Sequence, residues 1–305
     1  MYLSKITGNI LNKFNNQPIN ILYEPQRSLF DLLLSESGFR LFSPKTYNFL
    51  GLKESNMTLV DNNQEHLFNY NLGITNNIIG YSTHKRFAVE HLNAIIFTHS
   101  YKPQQIKKED VVLLDQNLRR DTKVFFSQDV ADSWRLNNRV VYNYGVPTNK
   151  LYPEKKVRSN KVLLLNFEKS PNIEPLAQFL HSQGLEIDIL TEIHFDIDLI
   201  RDLFNQYSVC IDLGEHNIIN LLCAVACGCK VITYATPMII NNYTNTPNLY
   251  MARTVQDLIS VAKQALISPL TETYTTHLEL NYNFEKFKNH TSNLINQSNN
   301  EAYII

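Results

Sequence analysis

The feature that most constrains the fold is an alternation of short apolar runs with helical patterns, which recurs in both halves of the chain. In the first half it predicts strands at 19–23, 39–44, 57–60, 78–81, 94–98 and 124–127, with helices at 28–35 and 85–92. In the second half it predicts strands at 161–165, 186–190, 209–213, 231–234 and 249–252, with helices at 171–183, 198–206, 218–227 and 255–266. Strands that alternate with helices form parallel sheets covered on both faces, so we expect an α/β fold with two Rossmann-like halves.

A polar, proline-bearing segment at 147–160 separates the two halves and is typical of a linker. The length of 305 residues also suits two domains of about 150 residues each. We therefore predict an N-terminal domain at 1–146 and a C-terminal domain at 147–280. The last residues, 281–305, carry a helical pattern that periodicity alone assigns to neither half.

Charge and hydropathy exclude some classes of partner. The chain has 28 basic and 29 acidic residues, so no overall field favours nucleic acid or an acidic membrane. No apolar run approaches the roughly 18 residues of a membrane span, and the start of the sequence lacks a signal-peptide core. We expect a cytoplasmic protein without a transmembrane segment.

All four cysteines, Cys210, Cys223, Cys227 and Cys229, fall within twenty residues of one another. This clustering suits reduced thiols in a core better than a disulfide framework. A zinc site built from the last three is the alternative, but no second cysteine pair or suitably spaced histidine accompanies them.

One acid, Glu215, stands two residues past the strand predicted at 209–213 and just ahead of the helix at 218–227. In parallel sheets, ligands bind at the carboxyl ends of strands, where helix N-termini can meet phosphate. An exposed acid in this place is also a common helix-stabilising residue. Position alone leaves both interpretations open.

The stretch Glu215-His-Asn-Ile-Ile-Asn-Leu-Leu-Cys223-Ala-Val-Ala-Cys-Gly-Cys-Lys-Val-Ile232 resembles a signature of the retaining, two-domain GT-B glycosyltransferases. In that family a Glu, seven residues, a second Glu and then Ala-Met-Ala-Cys-Gly-x-Pro-Val-Ile cradle a nucleotide sugar. Weaker resemblances follow in the family's order along the chain, at 93–100, 124–127, 141–153, 256–259 and 282–285.

The resemblance implies a GT-B fold, in which two Rossmann-like domains face each other across a cleft and a C-terminal helix crosses back to the first domain. It also implies metal-independent transfer of a sugar, with retention, from a nucleotide-diphosphate sugar, UDP- or GDP-linked. No cofactor beyond this donor is expected. The acceptor, whether a glycan, a lipid-linked sugar, a protein or a modified DNA base, is not identified by the sequence.

The resemblance also assigns roles to residues. Glu215 would hold the donor sugar, and His99, at the end of the strand at 94–98, would face the donor across the cleft. A strand-end histidine capped by local backbone is the alternative for His99. Asn166 and Lys169 stand where the family has an Arg and a Lys, respectively, that bind the diphosphate. The remaining residues expected to contact the donor are His216, Asn217, Ile218, Ile219 and Cys223.

The sequence departs from the family pattern in three places. Cys223 replaces the second Glu, and a thiol is a weak hydrogen-bond partner that cannot replace a bidentate acceptor. Asn166 leaves only one cation, Lys169, for the diphosphate. No glycine occurs in 24–27, where the family has a Gly-Gly turn.

These departures keep two alternatives open. The first is a non-catalytic GT-B module that binds a nucleotide, a glycan or a partner glycosyltransferase. The second is a phage-type DNA-base glycosyltransferase, whose phosphate contacts would come from basic residues near the linker, although such a cluster is more often a solvated surface. These basic residues are Lys150, Lys155, Lys156, Arg158 and Lys161.

Overall fold

The computed structural model describes residues 19, 21–24, 30, 33–34, 37–44, 57–60, 70, 72–75, 93–99, 106–154, 157–166, 173–191, 196–213, 218–271 and 273–301. These residues form two parallel β-sheets with helices packed around them. The predicted strand at 78–81 and the predicted helix at 85–92 lie outside the described residues.

The first sheet is built from the first half of the chain. Its strands are β1 (Ile21–Glu24), β2 (Leu41–Pro44), β3 (Met57–Val60), β4 (Leu72–Thr75), β5 (Ala94–Thr98), β6 (Thr122–Phe125) and β7 (Arg139–Val141). Helices α1 (Lys108–Asn117) and α2 (Gln128–Trp134) belong to the same half. The strand order is β3-β2-β1-β4-β5-β6-β7, which reverses between β1 and β4 as in a Rossmann fold.

The second sheet contains β8 (Ser159–Leu165), β9 (Ile187–Leu190), β10 (Tyr207–Asp212), β11 (Lys230–Tyr234) and β12 (Leu249–Ala252). Its order is β12-β11-β10-β8-β9. The strand order therefore reverses at β8 and β10, because β9 is added on one side of β8 and the later strands on the other. The helices of this half are α3 (Ile173–Ser182), α4 (Ile197–Phe204), α5 (Ile218–Ala226), α6 (Pro237–Tyr243), α7 (Val255–Ile267) and α8 (Tyr274–Asn281). The predicted alternation of strands and helices in this half is confirmed.

Local sequence explains where several of these helices begin and end. The side chains of Ser127 and Thr254 accept hydrogen bonds from backbone N–H groups in the first turns of α2 and α7. This is the usual role of an N-cap residue. Helix α3 ends at Ser182, and Gly184, two residues later, has a φ of +85°, a conformation that favours glycine. These signals agree with the elements read from the sequence.

The last helix, α9 (Phe284–Glu301), packs on the first sheet against β4 and β5. The hydroxyls of Tyr142 and Thr291 lie 3.1 Å apart, and the Asn93 side chain donates to the Ser298 carbonyl at 3.2 Å. The predicted return of the C-terminal helix to the first half is confirmed.

The connection between the halves passes close under the start of this helix. A Cβ atom at Gly145 would lie 2.5 Å from Cβ of Phe287, so only glycine allows the two backbones to approach this closely. The next residue, Val146, donates its N–H to the Tyr282 carbonyl at 2.8 Å. In addition, α6 of the second half contacts α2 of the first.

Candidate functional site

The site begins where two neighbouring strands of the second sheet end together. Leu165, the last residue of β8, pairs with Asp212, the last residue of β10, at the point where the strand order reverses. Such reversal points are where parallel sheets bind ligands. Lys169 and Glu215 follow these two strands in the sequence and lie outside the described residues, as do His216 and Asn217.

Asn166 directly follows β8 and is 7% exposed. Its backbone N–H donates to the Leu190 carbonyl at 2.8 Å, which fixes the first residue of the loop to the neighbouring strand. The sequence placed Asn166 at a strand end, and the structure finds it there. Its role toward a diphosphate stays a prediction.

The start of α5 is buried, as predicted for the thiol of Cys223. Ile218 and Ile219 belong to the large hydrophobic core, and Cys223 is only 1% exposed. Burial raises the pKa of the Cys223 thiol far above its usual range, so this side chain is neutral. The contribution of these three residues to donor binding stays a prediction, but Cys223 brings no charge to it.

A buried polar pair connects the two described elements on either side of Glu215. The side-chain amide of Asn220, in the first turn of α5, donates to the Asp212 carboxylate at 3.4 Å. Both side chains are buried. The pair ties the end of β10 to the start of α5. An asparagine inside the apolar run of α5 was the signal that sequence reasoning passed over.

His99 follows β5 of the first sheet and stands in a cluster of aromatic rings. Its ring is stacked on Phe126, with centroids 5.0 Å apart and an interplanar angle of 18°, and meets the edge of Phe30 at 4.7 Å. Its Nδ1 atom lies 2.8 Å from the hydroxyl of Tyr144. The imidazole is therefore oriented by contacts from three separate segments of the chain.

Tyr144 is the residue of this cluster that sequence reasoning missed. It precedes the glycine of the connection between the halves, and its ring is stacked on Phe126 at 3.9 Å. Burial, and to a lesser degree the neighbouring Tyr243 of the second half, raise the pKa of Tyr144 well above its usual range. Its hydroxyl stays protonated and remains a hydrogen-bond donor.

The four cysteines are free and buried. Burial raises the pKa of each thiol, and the Cys229 thiol donates to the Phe204 carbonyl at 3.0 Å. Within the described ranges no group of three or more His, Cys, Asp or Glu side chains could hold a metal ion.

The sequence contains an Asp-x-Asp triplet, a motif often associated with cation binding, at the start of α4. The Asp196 side chain accepts from the Asp198 backbone N–H at 2.9 Å and so caps the helix. Asp198 in turn forms an ion pair with Arg201 at 2.8 Å. Both carboxylates therefore serve the local structure of α4.

Two of the basic residues near the linker are engaged within the protein. Arg158 donates to the Cys227 carbonyl at 2.5 Å and to the Tyr207 carbonyl at 2.9 Å, and so satisfies carbonyls beyond the C-termini of α5 and α4. Lys161 forms an ion pair with Asp188 at 3.1 Å. Lys155 and Lys156 lie outside the described residues. Arg158 and Lys161 thus have structural roles.

Among the helices that the structure describes, none combines the length and apolar character needed to cross a membrane. A scan against protein-family models finds no match, and neither does a search of curated proteins.

Solved structures do resemble the chain over nearly its whole length. HepE of Anabaena, in complex with UDP and glucose, is 9% identical, with 92% of this chain and 100% of that chain covered and a TM-score of 0.68. Sucrose-phosphate synthase from Thermosynechococcus elongatus is 13% identical, with coverage of 92% and 99% and a TM-score of 0.62. AviGT4, a glycosyltransferase of avilamycin A biosynthesis, is 10% identical, with coverage of 93% and 99% and a TM-score of 0.60.

These similarities establish the fold. The chain has the GT-B architecture, with two Rossmann-like halves facing across a cleft and a C-terminal helix that returns to the first half. The domain boundaries at 1–146, 147–280 and 281–305 stay a prediction.

Proposed function

We propose that the chain is a glycosyltransferase that moves a sugar, with retention and without a metal ion, from a nucleotide-diphosphate sugar to an acceptor. The observation that carries the proposal is the GT-B architecture, shared over 92% of the chain with HepE, whose structure holds UDP and glucose. The donor would bind at the paired ends of β8 and β10, in the cleft between the halves.

The proposed chemistry needs two kinds of stabilisation. The leaving diphosphate gains negative charge in the transition state, and Lys169 together with backbone N–H groups at helix starts would stabilise it. Glu215 would accept hydrogen bonds from the sugar hydroxyls and fix the orientation of the sugar. His99 would approach the donor from the first half. Asn166, His216, Asn217 and the first residues of α5, Ile218 and Ile219, would line the donor pocket.

A second function is favoured by one observation, the neutral and buried thiol at position 223. In the family that the sequence resembles, a carboxylate holds the nucleotide ribose from this place. Its loss favours a GT-B module that binds a nucleotide, a glycan or a partner glycosyltransferase without catalysis.

A thermal-shift screen tests the proposed function first. UDP-, GDP-, ADP- and CMP-sugars would be added to the purified chain at high concentration. A donor present at 100 times its Kd should stabilise the folded state by about 2.7 kcal/mol. Stabilisation by at least one donor is expected, and it should shrink in Lys169→Ala. A melting temperature that no donor moves would refute the assignment of a donor site.

The stabilising donor would then be incubated with candidate acceptors. Release of free nucleotide by the wild type supports the transferase. If the chain binds the donor but releases no nucleotide with any of the acceptors, the non-catalytic module is supported.

A further inference from the structure

The contact between Tyr144 and His99 carries information about the proton on the imidazole. The hydroxyl of Tyr144 lies 2.8 Å from Nδ1 of His99, and this is its only hydrogen bond within the described part of the chain. The Tyr144 side chain is buried, so water does not supply a second partner readily.

A buried phenol with one partner has a strong preference for donating to it. Nε2 of His99 is buried as well, so either direction of the bond leaves one buried N–H or O–H group to be satisfied. The direction is set by donor and acceptor strength, because a phenol O–H is a stronger donor than an imidazole N–H and an imidazole nitrogen is a stronger acceptor than a phenol oxygen. Burial also raises the pKa of Tyr144 well above its usual range, so the phenol has a proton to donate. The direction of the bond is therefore from the Tyr144 O–H to Nδ1 of His99.

The surrounding rings prevent the imidazole from exchanging its two nitrogens. Phe126 and Tyr144 lie nearly parallel to it, at interplanar angles of 18° and 14°, and Phe30 meets it edge-on at 69°. A flip of the ring would have to displace at least one of these buried neighbours.

We propose that Tyr144 is a positioning residue that holds His99 in the neutral tautomer with its proton on Nε2. In a neutral imidazole one nitrogen accepts and the other donates, so an Nδ1 that accepts from Tyr144 leaves Nε2–H as the donor. With a proton on Nε2, His99 would offer a hydrogen bond to an oxygen of the sugar donor rather than accept a proton from the acceptor; because Nε2 is buried in this structure, neighbouring side chains would have to move for that oxygen to reach it. This consequence rests on the proposed function, whereas the tautomer itself does not.

Nitrogen-15 NMR of the histidine side chains tests the tautomer directly. The wild-type chain would be labelled with ¹⁵N-histidine, and the signal of His99 would be assigned by its loss in His99→Gln. We expect a protonated Nε2 and an unprotonated Nδ1. A wild-type His99 protonated on Nδ1 would overturn the proposal, whatever the behaviour of any variant.

Tyr144→Phe removes the hydroxyl and keeps the ring. The matched control is Tyr142→Phe, because Tyr142 is a buried tyrosine two residues away whose hydroxyl pairs with Thr291 and whose ring stacks on His290. In Tyr144→Phe, the His99 signal should shift to a mixture of tautomers, whereas Tyr142→Phe should leave it unchanged. A His99 signal that is the same in Tyr144→Phe as in the wild type would also overturn the proposal.

Activity provides the second readout. In Tyr144→Phe, kcat should fall about tenfold, the lower end of the cost known for losing the hydrogen-bond partner of a metal-bound histidine, while the KM for the donor stays nearly constant. Tyr142→Phe should keep the wild-type kcat. If the tautomer is found as expected but no donor binds, the proposed function fails and the assignment of the His99 proton still stands.

Discussion

The two sides of the candidate site are held together in different ways. In the first half, His99 is oriented by three aromatic rings and by the hydroxyl of Tyr144. In the second half, the helix that carries the family-like motif is packed into the core, and Cys223 stands there as a neutral thiol. The first half thus holds a polar side chain in a fixed orientation, whereas the second half uses position 223 for packing.

If the proposed donor binds in this half, its polar contacts would come mainly from the residues that follow β8 and β10 in the sequence, such as Lys169 and Glu215. The described residues beside them are held in place, because Asp212 is bonded to Asn220 and Asn166 is tied to Leu190.

The largest expected effect is the loss of sugar transfer when Glu215 is changed. Glu215→Gln keeps the shape of the side chain but removes the charge that would hold the sugar hydroxyls. We expect sugar transfer to fall by about 10³-fold, comparable to the loss of a preorganised transition-state contact, with little change in nucleotide affinity. Steady-state kinetics with the stabilising donor measure this. Full activity of the variant would mean that Glu215 only stabilises the start of the neighbouring helix and does not hold the sugar.

The next effect is on stability at position 223. Because Cys223 is buried among apolar side chains, Cys223→Glu should lower the free energy of unfolding by at least about 3 kcal/mol, since it buries a carboxyl group without partners. Urea unfolding measures this. The control, Cys223→Val, is similar in volume and should change stability by less than about 1.5 kcal/mol.

The opposite result at this position is also informative. If Cys223→Glu folds with wild-type stability and binds free nucleotide more tightly, the side chain at 223 faces the ribose, and the packing account of the second half is wrong.

A smaller effect is expected from the single cation assigned to the diphosphate. Lys169→Ala should weaken UDP or GDP binding by about 1.5–3 kcal/mol, the range for a hydrogen bond to a charged group. Isothermal titration calorimetry measures it, with Lys161→Ala as the control because Lys161 is paired with Asp188. Equal affinities of the wild type and Lys169→Ala would remove Lys169 from the site.

Much of the fold could be predicted because parallel strands are buried on both faces and their sequences show it. Strands such as β5 and β12 were predicted with their observed bounds, and helices α2 and α7 carry clear N-caps. Strand β4 was missed because Gly73 interrupts its apolar run, and β7 because it has only three residues, two of them outside the core.

The site could be predicted only as far as strand ends mark it. Asn166 and His99 directly follow buried strands, so the sequence fixes their place in each sheet. The contact between His99 and Tyr144 could not be predicted, because the two residues are 45 positions apart and meet only through the packing of the first half. The burial of Cys223 was predicted, because the clustered cysteines suited reduced thiols in a core.

The most direct test of the central claim is to measure the release of nucleoside diphosphate from the donor that stabilises the chain, in the presence of simple sugar acceptors or water. We expect the wild type to release nucleoside diphosphate. Release by Tyr144→Phe should be about tenfold slower, and release by Glu215→Gln about 10³-fold slower. If the wild type binds the donor but releases no more nucleotide than Glu215→Gln, the chain is not a glycosyltransferase, and the binding module becomes the correct description.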